Sequence, residues 1–117
     1  MKLKKQNLKQ DKGRYKRGER ILKEIEGDIN SLSMPSPKAS RAEIDAYTKE
    51  RDRISNDLDG AKRWINTHKS GDVTGHGEEA MQEIDIAINA LSNDNHGSAK
   101  KHVKRARKIL KKHKRPA

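Results

Sequence analysis

Lysine and arginine recur at four-residue intervals near the end of the chain, a spacing that places side chains on one side of a helix. The main series is Lys100, Lys104, Lys108 and Lys112, and the pairs Lys101 with Arg105 and Arg107 with Lys111 repeat the interval. Like charges at this spacing destabilise an isolated helix by about 0.2–0.5 kcal/mol per pair. An anionic partner would relieve this repulsion, and phosphate groups suit such a row because they release condensed counterions when cations neutralise them.

A second set of cations lies near the beginning of the chain, and Tyr15 lies within it. A tyrosine among cations could stack on an unpaired base. Tyr15 is also seven residues before Leu22, on the same side of a helix, so we expect it to be a core residue. The cations at this end are then the candidates for binding, rather than the aromatic ring.

Charge is distributed unevenly along the 117 residues. Residues 1–23 contain ten Lys or Arg and two Asp or Glu, residues 24–97 contain eight and fifteen, and residues 98–117 contain ten and none. The formal net charge is +11 and the pI is about 10.0. Positive charge that is concentrated at both ends of a chain indicates a polyanionic partner.

We therefore predict a nucleic-acid-binding protein that contacts the phosphate backbone with little sequence specificity. The sequence has no zinc finger, glycine-rich phosphate loop or RNA-binding sheet motif, and the choices between DNA and RNA and between single and double strands stay open. The predicted binding residues are Arg14, Lys16, Arg17, Arg20, Lys100, Lys101, Lys104, Arg105, Arg107, Lys108, Lys111 and Lys112. The alternative is a protein-interaction module, an adaptor, scaffold or inhibitor, that uses its basic ends and the Trp64 face on an acidic partner.

A third hypothesis concerns catalysis by Arg63 and His68, which are five residues apart. This spacing, and that of Arg107 and His113, resembles the Arg-to-His motif of HEPN ribonucleases, which are all-helical. The resemblance implies RNA cleavage by the Arg and His pair across a dimer, but Trp64 replaces the polar residue that follows the Arg in that family. We favour the interpretation of Arg63 as a surface cation and His68 as a packed boundary residue, and we predict that the protein is not an enzyme.

Several other functions are disfavoured by composition. Cysteine is absent, and none of the five histidines lies three or four residues from another, so we predict neither a metal site nor a cofactor. The N-terminal residues lack an apolar run, so we expect no signal peptide or membrane anchor, no membrane partner and a cytoplasmic location.

The candidate binding residues must be positioned by helices, because apolar residues recur at intervals of three and four and strand alternation is not found. We predict an all-α fold with helices at about 14–32, 40–69, 77–92 and 98–113, preceded by a basic flexible arm (1–13) and followed by a basic tail (114–117). Ser40 and Glu43 form a capping-box pattern before the second helix.

Two arrangements of these helices are open, a small antiparallel bundle and a pair of helical hairpins. The bundle would bring the two basic ends together, with partly frayed termini. Apolar residues make up only 30% of the chain, so a homodimer is a further expectation.

Overall fold

The computed structural model describes residues 13–113, which form four helices and no strand. Their bounds are α1 Lys16–Ser31, α2 Arg41–His68, α3 His76–Ser92 and α4 His96–Lys112. Each bound lies within two residues of the predicted one. The predicted tail and all of the predicted arm except Gly13 lie outside the described residues.

The helices form one antiparallel bundle in which each helix packs against the next and α4 returns to α1. Polar contacts mark the antiparallel register of the neighbouring helices: the ion pairs of Arg53 with Asp28, Lys62 with Asp85 and Arg107 with Glu26, and the hydrogen-bonded pair His102 and Glu83. The predicted all-α bundle is therefore confirmed. The start of α1 lies beside the end of α4, where the ring of Tyr15 packs edge-on against that of His113 with centroids 4.9 Å apart.

The core is built from apolar residues that recur at intervals of three and four, except in the first half of α2. In α4 the residues at this spacing are all buried: Ala99, Val103, Ala106 and Leu110. In α2, only the second half faces the core, since burial begins at Ile54, whereas Ile44 is 46% exposed and His68 is exposed. His68 is predicted to be a packed boundary residue; its ring does stack on Trp64, but the residue is exposed. In α3, alanines at positions 80, 87 and 90 are three of the six buried residues, and small side chains allow helices to approach closely.

Trp64 lies at the edge of the core, where it fills the space above Gly18 of α1. A Cβ atom at Gly18 would be 2.8 Å from Trp64 Cζ3 and 3.2 Å from Leu110 Cδ1. The ring of His68 stacks on the indole with centroids 4.1 Å apart. This packing makes Trp64 an extension of the core. The same packing explains why position 18 of α1 is a glycine, although glycine has poor helix propensity.

Specific side chains determine where the helices begin. The capping box predicted at Ser40 is present, because its hydroxyl accepts from the Glu43 amide and the Glu43 carboxylate accepts from the Ser40 amide. Asn95 caps α4 by accepting from the Ser98 amide at 3.1 Å. Asp94 has a φ of 56° and makes the turn between α3 and α4, a conformation that Asp tolerates better than most residues. In residues 13–113, no helix is long and apolar enough to cross a membrane.

Candidate nucleic-acid interface on α1 and α4

The cations of α4 form two rows on adjacent faces of the helix. An inner row faces α1 and an outer row faces solvent, and each follows the intervals four, three and four that keep side chains on one face. The inner row is Lys100, Lys104, Arg107 and Lys111, and the outer row is Lys101, Arg105, Lys108 and Lys112. α4 contains no acidic residue.

Much of the inner row is engaged by α1. Arg107 forms an ion pair with Glu26 at 3.2 Å, and Lys104 Nζ lies 3.9 Å from the same carboxylate. Lys100 donates to the side-chain oxygen of Asn30 at 2.8 Å. The side chain of Glu26 is only 15% exposed, so its charge acts with little solvent screening. These contacts offset part of the like-charge repulsion predicted for α4.

The outer row is fully available to a ligand. Lys101, Arg105, Lys108 and Lys112 are exposed. Within the described part of the chain, none of the four forms an ion pair or a side-chain hydrogen bond. Between Lys101 and Lys112 the helix rises about 16 Å, at about 1.5 Å per residue. The row is therefore a strip of uncompensated positive charge along most of α4.

A shorter strip lies on α1, formed by Lys16, Arg20 and Lys23 at intervals of four and three. We call these three residues the α1 row. They are exposed, have no ion pair among residues 13–113, and lie beside the C-terminal half of α4. Lys23 was not among the predicted binding residues, although it continues the spacing. The α1 row and the outer row together are called the basic face.

Two predicted binding residues near the start of α1 differ from the α1 row. The guanidinium of Arg14 donates to the backbone carbonyls of His68 and Ser70 at 3.2 and 2.6 Å, so these contacts at the end of α2 give Arg14 a structural role. Arg17 is exposed, but its spacing from Arg20 places it on the side of α1 nearer α2. The basic face therefore includes seven cations and excludes Arg14.

A polar cluster holds the start of α1 beside the end of α4. It consists of Tyr15, Asp72, Thr74, His76 and His113, and we call it the Tyr15 cluster. Tyr15 donates to Asp72 at 2.5 Å, and the carboxylate also accepts from the Thr74 hydroxyl and from the Thr74 and Gly77 amides. His113 Nδ1 lies 3.6 Å from Asp72 and 3.4 Å from His76 Nδ1.

The pKa values in the Tyr15 cluster follow from burial and from these hydrogen bonds. The Asp72 side chain is 1% exposed; burial disfavours its ionised form, but the donors around it outweigh burial and hold its pKa well below the usual range. Burial and the Asp72 contact raise the pKa of Tyr15. Burial lowers the pKa of His113 against the opposing effect of Asp72.

The opposite end of the bundle has a similar arrangement around Tyr47. Tyr47 donates to Asp94 at 2.7 Å and lies 2.7 Å from His96 Nε2, and Arg51 donates to Asp94 at 3.0 Å. Burial and the contact with Asp94 raise the pKa of Tyr47 to about 12. Both tyrosines of the chain therefore donate to a loop aspartate. Local sequence patterns do not predict these pairs, because the partners are more than forty residues apart.

The residues of the ribonuclease hypothesis have separate partners within the described chain. Arg63 is 82% exposed and pairs with Asp59 on its own helix at 2.9 Å. His68 stacks on Trp64, and its Nδ1 lies 2.8 Å from the Trp64 carbonyl. Of the second pair, Arg107 contacts Glu26, whereas His113 belongs to the Tyr15 cluster. Among residues 13–113, no three His, Asp or Glu side chains are arranged to hold a metal ion.

The fold and the basic face define a class of protein, a small four-helix bundle with one strongly cationic helix. No family model matches the chain, and no curated protein or solved structure shows a match to it. Its function is therefore argued from its own residues.

Proposed function

We propose that this protein binds nucleic acid through the phosphate backbone, with the outer row of α4 as the principal contact. The observation that carries the proposal is the row itself, four exposed cations on one face of a helix that has no acidic residue. Cations without internal partners gain most from phosphate, because they lose no ion pair when they bind.

Charge is distributed asymmetrically around the bundle. α3 contains four acidic residues and no Lys or Arg, whereas α4 contains eight Lys or Arg. In α1 and α2 the two signs are equal in number. A polyanion approaching such a molecule is attracted to the side that α4 forms and is repelled by α3. Contacts made by cations alone carry little sequence information, so we expect weak sequence preference.

The test is fluorescence anisotropy with labelled nucleic acid across a salt series. In the outer-row variant, Lys101, Arg105, Lys108 and Lys112 are all replaced by Gln. We expect its affinity to fall at least about tenfold and its log–log salt slope to become shallower by about 3 to 4, because each phosphate contact contributes about 0.9 on duplex DNA. Circular dichroism verifies that the variant keeps its helicity.

A matched control separates a local site from total charge. It replaces four exposed cations outside the basic face by Gln, namely Lys38, Arg41, Lys49 and Arg63. The proposal expects near wild-type affinity from the control. Equal losses in the two variants would show that only net charge matters, and no binding by the wild-type protein at low salt would make an acidic protein partner the better explanation.

We also propose that the protein acts in the cytoplasm and that it binds nucleic acid without cleaving it. A denaturing gel of the anisotropy samples should show intact DNA and RNA after incubation. Cleavage of RNA that is lost in His68→Ala, with binding retained, would instead support the ribonuclease hypothesis. Sedimentation at several protein concentrations tests the expected homodimer.

A further inference from the structure

We infer that the preferred ligand is double-stranded, with phosphates of both strands held by the two rows of the basic face. This inference rests on the proposed function and adds the class of nucleic acid that the surface fits. Two independent features carry it: the position of the aromatic side chains and the spacing of the two rows.

The three aromatic residues of the chain are all engaged inside the bundle. Tyr15 is 2% exposed and its hydroxyl donates to Asp72, and Tyr47 donates to Asp94 at the opposite end. Trp64 packs on Gly18 and is stacked against His68. Proteins that bind single strands use aromatic rings on which unpaired bases stack. The basic face has cations for phosphates and no aromatic ring for a base.

The two rows flank a strip in which part of the positive charge is compensated. In this strip lies the inner row, in which Lys104 and Arg107 share the Glu26 carboxylate and Lys100 contacts Asn30. On this side of the bundle, the exposed cations without an ion pair in residues 13–113 therefore lie mostly along two lines. One line runs on each of two adjacent, antiparallel helices.

The separation of these lines matches a duplex better than a single strand. The axes of packed helices lie about 8–10 Å apart, and the exposed side chains extend outward from both. The major groove of B-form DNA is about 12 Å wide and has a phosphate chain on each side. One row can therefore contact each strand, and the outer row is about 16 Å long. The phosphates of a single strand can follow only one of the two rows at a time.

The test compares two variants on three probes of one mixed sequence without self-complementarity: a DNA single strand, the DNA duplex and the RNA duplex. The first is the outer-row variant, and in the second Lys16, Arg20 and Lys23 of the α1 row are replaced by Gln. We expect the wild-type protein to bind the DNA duplex at least about tenfold more tightly than the strand. Loss of the α1 row should make the duplex salt slope shallower by about 3 and change strand binding much less.

Each outcome separates this inference from the proposed function. Equal affinity for strand and duplex, with equal losses in the α1-row variant, would overturn the inference and leave phosphate binding intact. Absence of binding to all three probes would overturn both. Tighter binding to the DNA duplex than to the RNA duplex supports the major-groove match, because that groove is deep and narrow in A-form RNA. Equal binding to the two duplexes would retain the preference for double strands and overturn the groove assignment.

Discussion

Asp72 is the residue on which the end of the bundle depends. Its buried carboxylate accepts hydrogen bonds from Tyr15 immediately before α1 and from Gly77 at the start of α3, and it lies near His113 after α4. The donors around this carboxylate stabilise its ionised form, and the pKa of Asp72 is therefore low. One side chain thus links three helices at the end where α1 and α4 bring their cations together.

Replacement of this residue, Asp72→Asn, should destabilise the protein by about 2–3 kcal/mol at neutral pH, because hydrogen bonds to a charged group are lost. The effect has a defined pH dependence. The pKa of Asp72 is lower in the folded state than in the unfolded state. Its contribution to the free energy of unfolding is therefore complete above about pH 4 and is lost as the pH falls towards the folded pKa. Urea unfolding of both proteins at several pH values measures this difference.

Asp45→Asn is the matched control for this prediction, because Asp45 is exposed on α2. It should change the free energy of unfolding by less than about 0.5 kcal/mol at every pH. A constant difference between wild-type and Asp72→Asn down to strongly acidic pH would contradict the assignment of the low pKa to Asp72.

At the residue scale, a role is predictable from sequence where it depends on the residue's own helix. The distance from Leu22 predicts that Tyr15 is a core residue, and Glu43 three residues after Ser40 predicts the helix cap; both predictions are confirmed. The role of Asp72 is not predictable in this way, because its partner Tyr15 is 57 residues away. Nothing local to a loop aspartate distinguishes a buried acceptor from a solvated one.

At the scale of the element, α1 depends on a glycine that local propensity disfavours. Gly18→Ala should lower the free energy of unfolding by about 1–3 kcal/mol, because the new methyl group would lie 2.8 Å from the Trp64 ring. Gly27→Ala, on the same helix, should raise it by about 0.5–1 kcal/mol, since nothing lies within 4 Å of its Cβ position. Thermal unfolding of the two variants gives the comparison; stabilisation by both would show that Trp64 moves aside without cost.

Glu26 connects α1 to α4 and also limits the charge of the binding surface. Glu26→Gln removes the ion pairs with Lys104 and Arg107, so we expect a loss of stability of about 1 kcal/mol. The same change frees two cations, and the nucleic-acid salt slope should steepen by about 1 to 2. Stability and affinity thus move in opposite directions.

The control for this prediction is Glu24→Gln, which makes the same change in net charge at an exposed position of α1. It should leave stability nearly unchanged and increase affinity less. If the two variants bind equally well, the gain reflects total charge and not the release of the inner row.

The four-residue intervals in the sequence predicted that α4 is a cationic helix, but not which of its cations are free. Lys100 and Lys108 belong to the same series, yet Lys100 contacts Asn30 of α1 and Lys108 is exposed. The division into inner and outer rows depends on where α1 packs, which the α4 sequence does not encode. α2 shows the converse, because the spacing of three and four runs from Ile44 to His68, yet burial begins only at Ile54.

At the scale of the whole molecule, positive charge opposes the compact state. The net charge is +11, and like charges brought together by folding repel one another. The ion pairs that oppose this effect are mostly exposed, and such pairs contribute about 0–1 kcal/mol each. The balance should therefore favour a protein that salt stabilises. Added salt shortens the Debye length from about 30 Å at 0.01 M to about 3 Å at 1 M and screens the repulsion within α4 and between α4 and the α1 row.

We expect Tm at pH 7 to rise as sodium chloride is increased over this range, measured by circular dichroism at a fixed protein concentration. The outer-row variant, which lacks four of the charges, should begin with a higher Tm at low salt and rise less. At low salt, added duplex should raise Tm as salt does. A ligand that binds only the folded state, present at a hundred times its Kd, stabilises that state by about 2.7 kcal/mol. If Tm instead falls with salt in both proteins, the ion pairs outweigh the repulsion, and the cationic row of α4 is stable without an anionic partner.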